Sequence, residues 1–588
     1  MQPLSLIFSS LLLFQLSAEE APVDFDPVPR LLQNLKSSNY RFSISAARSL
    51  GIIFSPGKGR QADADKVIEA LSEKLDSAKN WMLRRECAVA LGKMKRVEAV
   101  EALKAAMDDE DVNVAIDAAN GLASILPRDK TRELLLKQSQ EGASEIIRIA
   151  AYNAVVPYVA AEDAPFLIKG LESDNWRIQT SSVRGLERAV RNGARLKTED
   201  YDRMGMLLGH ETSNVADAAM HYLSNLRNKE TTRVLMAQAE ARGDGSKTDS
   251  TWRNRTYALR GLNRMWEPTI RQALPVVIRQ LGDPVSNVSN EARNILNRFR
   301  NTEHYPKTFL FPHLLTELES ATDAKLKTAI MTEMGPNFAT EYSSRIAKVS
   351  AAALEQAMED RSAWALRAHA LTLLGKSGNT GSVETIAKCV NDNISNVRQA
   401  AGYALEQLDK LCTPEQRAKV SPILLPLIEK PHDWRKTAIA ARVSAGFPSD
   451  QAIEPLVKLL SHSIVNVQDG AARSLSAWVS QKDAEETKKA VKESLIKEIG
   501  SDQQSWEYGA NVLASLADAS SIELLTRILK SGNWRAKTNA ANAVSAIAGK
   551  TTLKDKALSE ALIKCAQSDI HQVQNAANRA LSLVSKGK

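Results

Sequence analysis

An internal period constrains this chain more than anything else in it. An apolar residue, a small residue four places on and a second apolar residue eight places on recur at nearly constant intervals. Two copies are Val397-Arg398-Gln399-Ala400-Ala401-Gly402-Tyr403-Ala404-Leu405 and Val467-Gln468-Asp469-Gly470-Ala471-Ala472-Arg473-Ser474-Leu475. Positions i, i+4 and i+8 lie on one face of an α-helix. The motif starts at Phe42, Leu83, Val114, Ile147, Ile178, Val215, Leu326, Leu366, Val397, Val467, Tyr508, Ala536 and Val573, and spacing adds Asn254, Val288 and Lys436. These register positions make about 16 repeats at a mean step of about 35 residues, the length of one helical hairpin. A further apolar helix precedes each one, as in Ala452 to Leu460 and Ser521 to Leu529. Pro165, Pro275, Pro312 and Pro455 fall in such first helices, where proline starts or kinks the helix. Asp174-Asn175, Asp283, Asp392-Asn393, Asp433 and Asp569 precede second helices and predict side-chain caps.

Composition agrees. A chain of 588 residues exceeds the ~250–300 at which single cores stop growing. With 44% hydrophobic but only 5% aromatic residues, the apolar positions are mostly the Ala and Leu of helix packing. The pattern Asp392, Val397, Arg398, Ala401 and Leu405 resembles the second-helix signature of the HEAT repeat family, with Gly51, Gly92 and Gly375 just beyond the helix in other copies. The resemblance implies an all-α fold: a HEAT-repeat α-solenoid superhelix of about 16 helical hairpins, continuous over 28–588. HEAT arrays serve as scaffolds, transport receptors and enzyme accessory subunits, so the fold does not choose a function.

A second pattern bears on function. Trp81, Trp176, Trp252, Trp364, Trp434, Trp506 and Trp534 each stand two residues before a register position, and Tyr40 does so in the first repeat. Basic residues follow: Arg84 and Arg85, Arg177, Arg253 and Arg255, Arg367, Arg435, and Arg535. Repeats between them have Asn-Val instead, as at Asn113-Val114 and Asn396-Val397. This Trp-x-x-Arg and Asn-Val alternation is similar to that of the HEAT scaffold subunit of a eukaryotic protein phosphatase and of tubulin-binding TOG domains, which grip protein partners with turns on one edge. Two roles fit the Trp slot. The ring can cover a hairpin end while the arginine pairs with an Asp of the next repeat, or Trp and Arg together can form a recognition edge, since both dominate protein hot spots.

Catalytic constellations are missing from the sequence. His210, His221, His304, His313, His369, His432, His462 and His571 lack the paired spacing of a zinc site, and no nucleophile elbow accompanies them. Ser55 to Arg60 has glycines and Lys58 but not the ending of a phosphate-binding loop, and Arg242-Gly243-Asp244 reads as part of a turn-forming insertion. Cys87, Cys389, Cys412 and Cys565 form no close pair, which argues against a disulfide framework or a redox motif. No enzyme activity, metal or cofactor is expected.

The leading expectation is therefore a non-catalytic scaffold presenting a Trp/Arg/Asn turn edge to a protein or peptide. The alternatives are an envelope polysaccharide-binding protein, in which Trp stacks on sugars, and an accessory subunit resembling HEAT-like lyase subunits. A net charge of +8 permits attraction to an acidic polymer but indicates no specific nucleic acid. Residues 1–18 lack charge and are apolar from Leu4 to Leu16, which predicts a secretory signal peptide, with 19–27 a short linker. That apolar run is shorter than the ~20 residues of a membrane-spanning helix. An exported chain without disulfides suits a bacterial periplasm, or secretion. Mass spectrometry of native protein is expected to find the mature chain starting at or near Glu19; an intact Met1 in a cytoplasmic fraction refutes export.

Overall fold

A computed structural model describes residues 26–57, 62–241, 251–265, 267–301, 305–306, 309–481, 484–501 and 503–586. The expected signal segment 1–18 and most of the linker lie outside them, as do Lys58 to Arg60 and the insertion from Arg242 onward. Among the described residues there are thirty-two α-helices and no strand, which form sixteen consecutive pairs. The chain divides into two compact units, one ending at Ala273 and one beginning at Leu274.

In the first unit the second helices are Tyr40–Ile53, Trp81–Met94, Val112–Ile125, Glu145–Val155, Trp176–Arg191, Ser213–Leu226 and Trp252–Arg264, each stacked on the next. In the second unit the same stacking runs from Ala324–Met334 through Trp364–Ser377, Ser395–Leu408, Trp434–Val443, Val465–Val479, Trp506–Leu516 and Trp534–Ala548 to His571–Lys586. Every register position, Asn254 and Lys436 included, is the third residue of its second helix. The three motif positions form the buried face: Val397, Ala401 and Leu405, and again Val467, Ala471 and Leu475, are all fully buried. Phe42, in the first hairpin, is 58% exposed.

Small residues at i+4 allow the helix backbones to meet, and the glycines extend this. Gly51, Gly92 and Gly375 sit inside the last turns of their helices, not beyond them as the sequence suggested. The reason is proximity to the next repeat. A methyl on Gly92 would stand 2.7 Å from Cα of Gly121, and one on Gly51 would stand 2.7 Å from Cα of Ala90.

Several turns are folded by a side chain five residues before the register position, which accepts a hydrogen bond from the backbone N–H two residues later. Asp109, Asp283 and Asp392 do so at 2.7–2.9 Å, Ser173 at 3.2 Å, and His210 and His462 through Nδ1 at 3.0 Å. Asp283 and Asp392 thus shape the turn instead of capping the helix, because the caps in those repeats are Val285 and Ile394. Asn175 and Asp433 do cap, accepting from the N–H groups of Arg177 and Arg435. In the last repeat Ser568, not Asp569, accepts from Ile570. Other repeats lack this acceptor, with Ala78, Gly142, Ala321, Arg361 or Pro431 at this place.

Gly92→Ala tests the backbone contact. Helix propensity alone favours alanine by ~1 kcal/mol. Overpacking against Gly121 costs ~1–3 kcal/mol, so the variant is expected to melt lower than the parent in a thermal unfolding scan.

Candidate functional site

The last carbonyls of a helix have no partner within it. In several repeats the residue one place after the register position supplies one. Arg84 Nη1 donates to the carbonyl of Ala78 at 2.8 Å, Arg148 Nη1 to Gly142 at 2.9 Å, Arg255 Nη1 to Ala241 at 3.0 Å and Arg367 Nη1 to Ala357 at 3.0 Å. Arg398 Nη1 reaches the carbonyls of Asp392 and Asn393, both at 2.8 Å. Where this residue is Gln468 or Thr437 the side chain still reaches back, to Leu460 and Leu427. A second helix is thereby clamped to the end of its own first helix.

Two of these arginines also reach forward. Arg84 is held by Asp109, Nε to Oδ2 at 2.7 Å and Nη2 to Oδ1 at 2.9 Å, and Arg367 by Asp392, Nε to Oδ2 at 3.0 Å. Asp109 and Asp392 are the turn-folding residues of the following repeats, so one carboxylate closes a turn and ties two hairpins together. Donating hydrogen bonds to Asp109 holds the Arg84 guanidinium above its ordinary range. Both arginine side chains are 6% exposed. Arg84 and Arg367, expected on a recognition edge, are internal struts, which is the structural ladder the sequence also allowed.

All seven tryptophans of the shared slot are the first residues of their second helices. They fall into three groups. Where arginine follows directly, its guanidinium stacks on the ring: Arg177 lies 4.4 Å from the centroid of Trp176, Arg253 5.4 Å from Trp252, Arg435 4.8 Å from Trp434 and Arg535 5.0 Å from Trp534. Trp81 and Trp364 have no adjacent arginine and are 38% and 40% exposed. Trp506 differs from both: it is buried, and its Nε1 donates to the carbonyl of Ile499 at 2.9 Å. A ring so enclosed cannot form part of an exposed edge, so Trp506 is removed from it.

In the second unit one slot opens into a groove of about 450 Å³ between Ser395–Leu408, Trp434–Val443 and Val465–Val479. Trp434 and Arg435 line one side. Tyr403, 56% exposed, carries Arg442 over its ring at 5.1 Å. Arg442 Nε is 2.8 Å from Glu406 and Arg473 Nε is 2.8 Å from Asp469. Arg398 and Gln399 complete the wall. Sequence reasoning passed over Tyr403, Arg442 and Arg473, although all three stand six residues after a register position. That column read down the repeats would have found them. Among the described residues no three His, Cys, Asp or Glu side chains are arranged to hold a metal, and burial pushes the thiols of Cys87 and Cys389 up to about 12.

Residues 68–156 and 351–443 match the sequence profile of HEAT repeats. No curated protein matches the chain. Among solved structures, it aligns with yeast importin-β (Kap95p) at 13% identity, covering 95% of this chain and 88% of that one, with a TM-score of 0.34. Kap121p bound to Pho4p aligns at 12% identity over 96% and 70% of the two chains, with a TM-score of 0.41. An engineered protein aligns at 27% identity over 35% of this chain and 98% of its own, with a TM-score of 0.26.

The strut has a measurable signature. Asp392→Ala leaves the buried Arg367 unpaired and is expected to destabilise the protein by ~3–5 kcal/mol, whereas adding Arg367→Met should restore much of the loss. Chemical denaturation of the two single variants and the double variant checks this; additive losses would show that the pair does not couple the repeats.

Proposed function

We propose that this chain, a HEAT-repeat solenoid, is a non-catalytic binding scaffold that grips a protein or peptide partner along the edge where its second helices begin. The observation that carries this reading is the repeated Trp–Arg stack. Four second helices start with an indole covered by the guanidinium of the next residue, and in each the ring is partly exposed. The cation–π contact holds the guanidinium near the ring, so less side-chain freedom is lost when a partner binds. Within each unit the pairs share one register, Trp176 with Trp252 two repeats apart and Trp434 with Trp534 three apart, which suits an extended ligand better than a compact one. Trp364, 40% exposed and without an adjacent arginine, adds an apolar face in the second unit, which also holds Trp434 and Trp534.

We further infer that the scaffold works outside the cytoplasm, on the strength of the uncharged apolar run at residues 4–16.

Partner capture with native protein and with a Trp364→Ala/Trp434→Ala variant tests the scaffold reading. A hot-spot tryptophan is worth ~2 kcal/mol or more, so the variant is expected to hold the partner at least ~30-fold more weakly while its melting temperature changes little. Equal retention by both proteins overturns the edge. A variant that unfolds but binds whenever folded makes these rings packing between repeats.

A further inference from the structure

Arg398 differs from two of its register mates. Arg84 and Arg367 occupy the same place in their helices, and each meets the turn aspartate of the following repeat. The following repeat offers Arg398 Pro431 at that position, with no carboxylate. Arg398 is 4% exposed, its Nη1 is spent on the carbonyls of Asp392 and Asn393, and its Nε has no partner. A buried guanidinium without a counter-charge is costly, and a charged group left unmatched in a folded protein calls for an explanation. Here it lines the groove beside Trp434.

Other arginines of the groove point to the same chemistry. Arg442 has Nε and Nη2 buried without a hydrogen bond, because Glu406, though 2.8 Å from Nε, is out of line for one. Arg435 and Arg442 lie over the rings of Trp434 and Tyr403, 4.8 and 5.1 Å from their centroids. Against these three and Arg473 stand the carboxylates of Asp469 and Glu406, which leaves the groove two positive charges in excess. The Arg473–Asp469 pair is solvent-exposed at both ends, and such pairs contribute little, so it can exchange for a ligand at small cost.

We infer that this groove receives a carboxylate side chain of an acidic peptide, which takes the place of the turn aspartate missing at Pro431 and pairs with Arg398 and Arg442. The inference rests on the scaffold reading and names the chemistry of its partner at one site. A guanidinium matches the two oxygens of a carboxylate, and because arginine already covers a face of Trp434 and of Tyr403, the groove suits an acidic side chain better than a stacked sugar.

Fluorescein-labelled hexaglutamate, titrated into the full chain at low ionic strength and followed by anisotropy, tests it, with hexaglutamine as the control. Native protein is expected to bind hexaglutamate at least ~10-fold more tightly than hexaglutamine. Arg398→Met should weaken binding by ~10-fold or more. Pro431→Asp restores the internal carboxylate, so it should weaken binding similarly and raise the melting temperature. That rise keeps the test independent of folding damage. The inference is overturned if native protein does not bind hexaglutamate, if both variants bind as native protein does, or if oligogalacturonate binds through Arg398 while hexaglutamate does not. Should hexaglutamate fail while Trp364→Ala/Trp434→Ala still loses its partner, only the acidic assignment falls; if partner capture is also unaffected, the scaffold reading falls with it.

Discussion

Close approach of successive second helices is the constraint from which the rest of each unit follows. Where a methyl on Gly92 would lie 2.7 Å from the neighbouring Cα, two helix backbones are in contact and no larger residue fits without movement. Contact at that distance fixes the relative height of adjacent helices, because a shift by one residue would set a side chain against backbone. Once heights are fixed, the first residues of every second helix fall in line along the unit. A tryptophan at the first position therefore recurs as a column, and so do the turn-folding residue five places before the register and the arginine one place after it.

Those columns divide the labour. The arginine after the register position meets the carbonyls that the preceding helix leaves open, and the turn aspartate adds a forward link. Each bond is local, yet Asp109 and Asp392 serve two elements at once, so pairing one hairpin orders the turn of the next. Such nearest-neighbour coupling is the basis of stability in repeat proteins. Arg398 lacks such a link: Pro431 stands at this place in the following repeat, and the Nε of Arg398 has no partner.

The fold was legible because its signal is periodic. Sixteen register positions each became the third residue of a second helix, and spacing alone placed Asn254 and Lys436 correctly. Features that depend on the neighbouring repeat were harder to read. Gly375 looked like a helix terminator, since glycine commonly ends helices, but the approach of Ala404 is a tertiary fact. Trp506 carries the same local sequence signal as Trp364, yet the carbonyl of Ile499 draws it inward. The candidate groove was legible in part. Trp434 and Arg435 came from the slot pattern, whereas Tyr403, Arg442 and Arg473 stand on a face that the apolar motif does not sample.

Burial separates the arginines that hold the array together from those that can face a partner. A guanidinium enclosed with a carboxylate, as Arg84 is with Asp109, has its charge matched inside the fold and has little left for a ligand. Arg177 and Arg535 lie over indole rings, where the cation is favoured and remains partly hydrated. Arg398 belongs to neither group, being buried like the first and unmatched by any carboxylate among the described residues. Stability alone would favour an aspartate at 431. That the groove keeps an unpaired cation beside Trp434, at the place where the internal ladder lapses, is what ties its chemistry to an anion from outside.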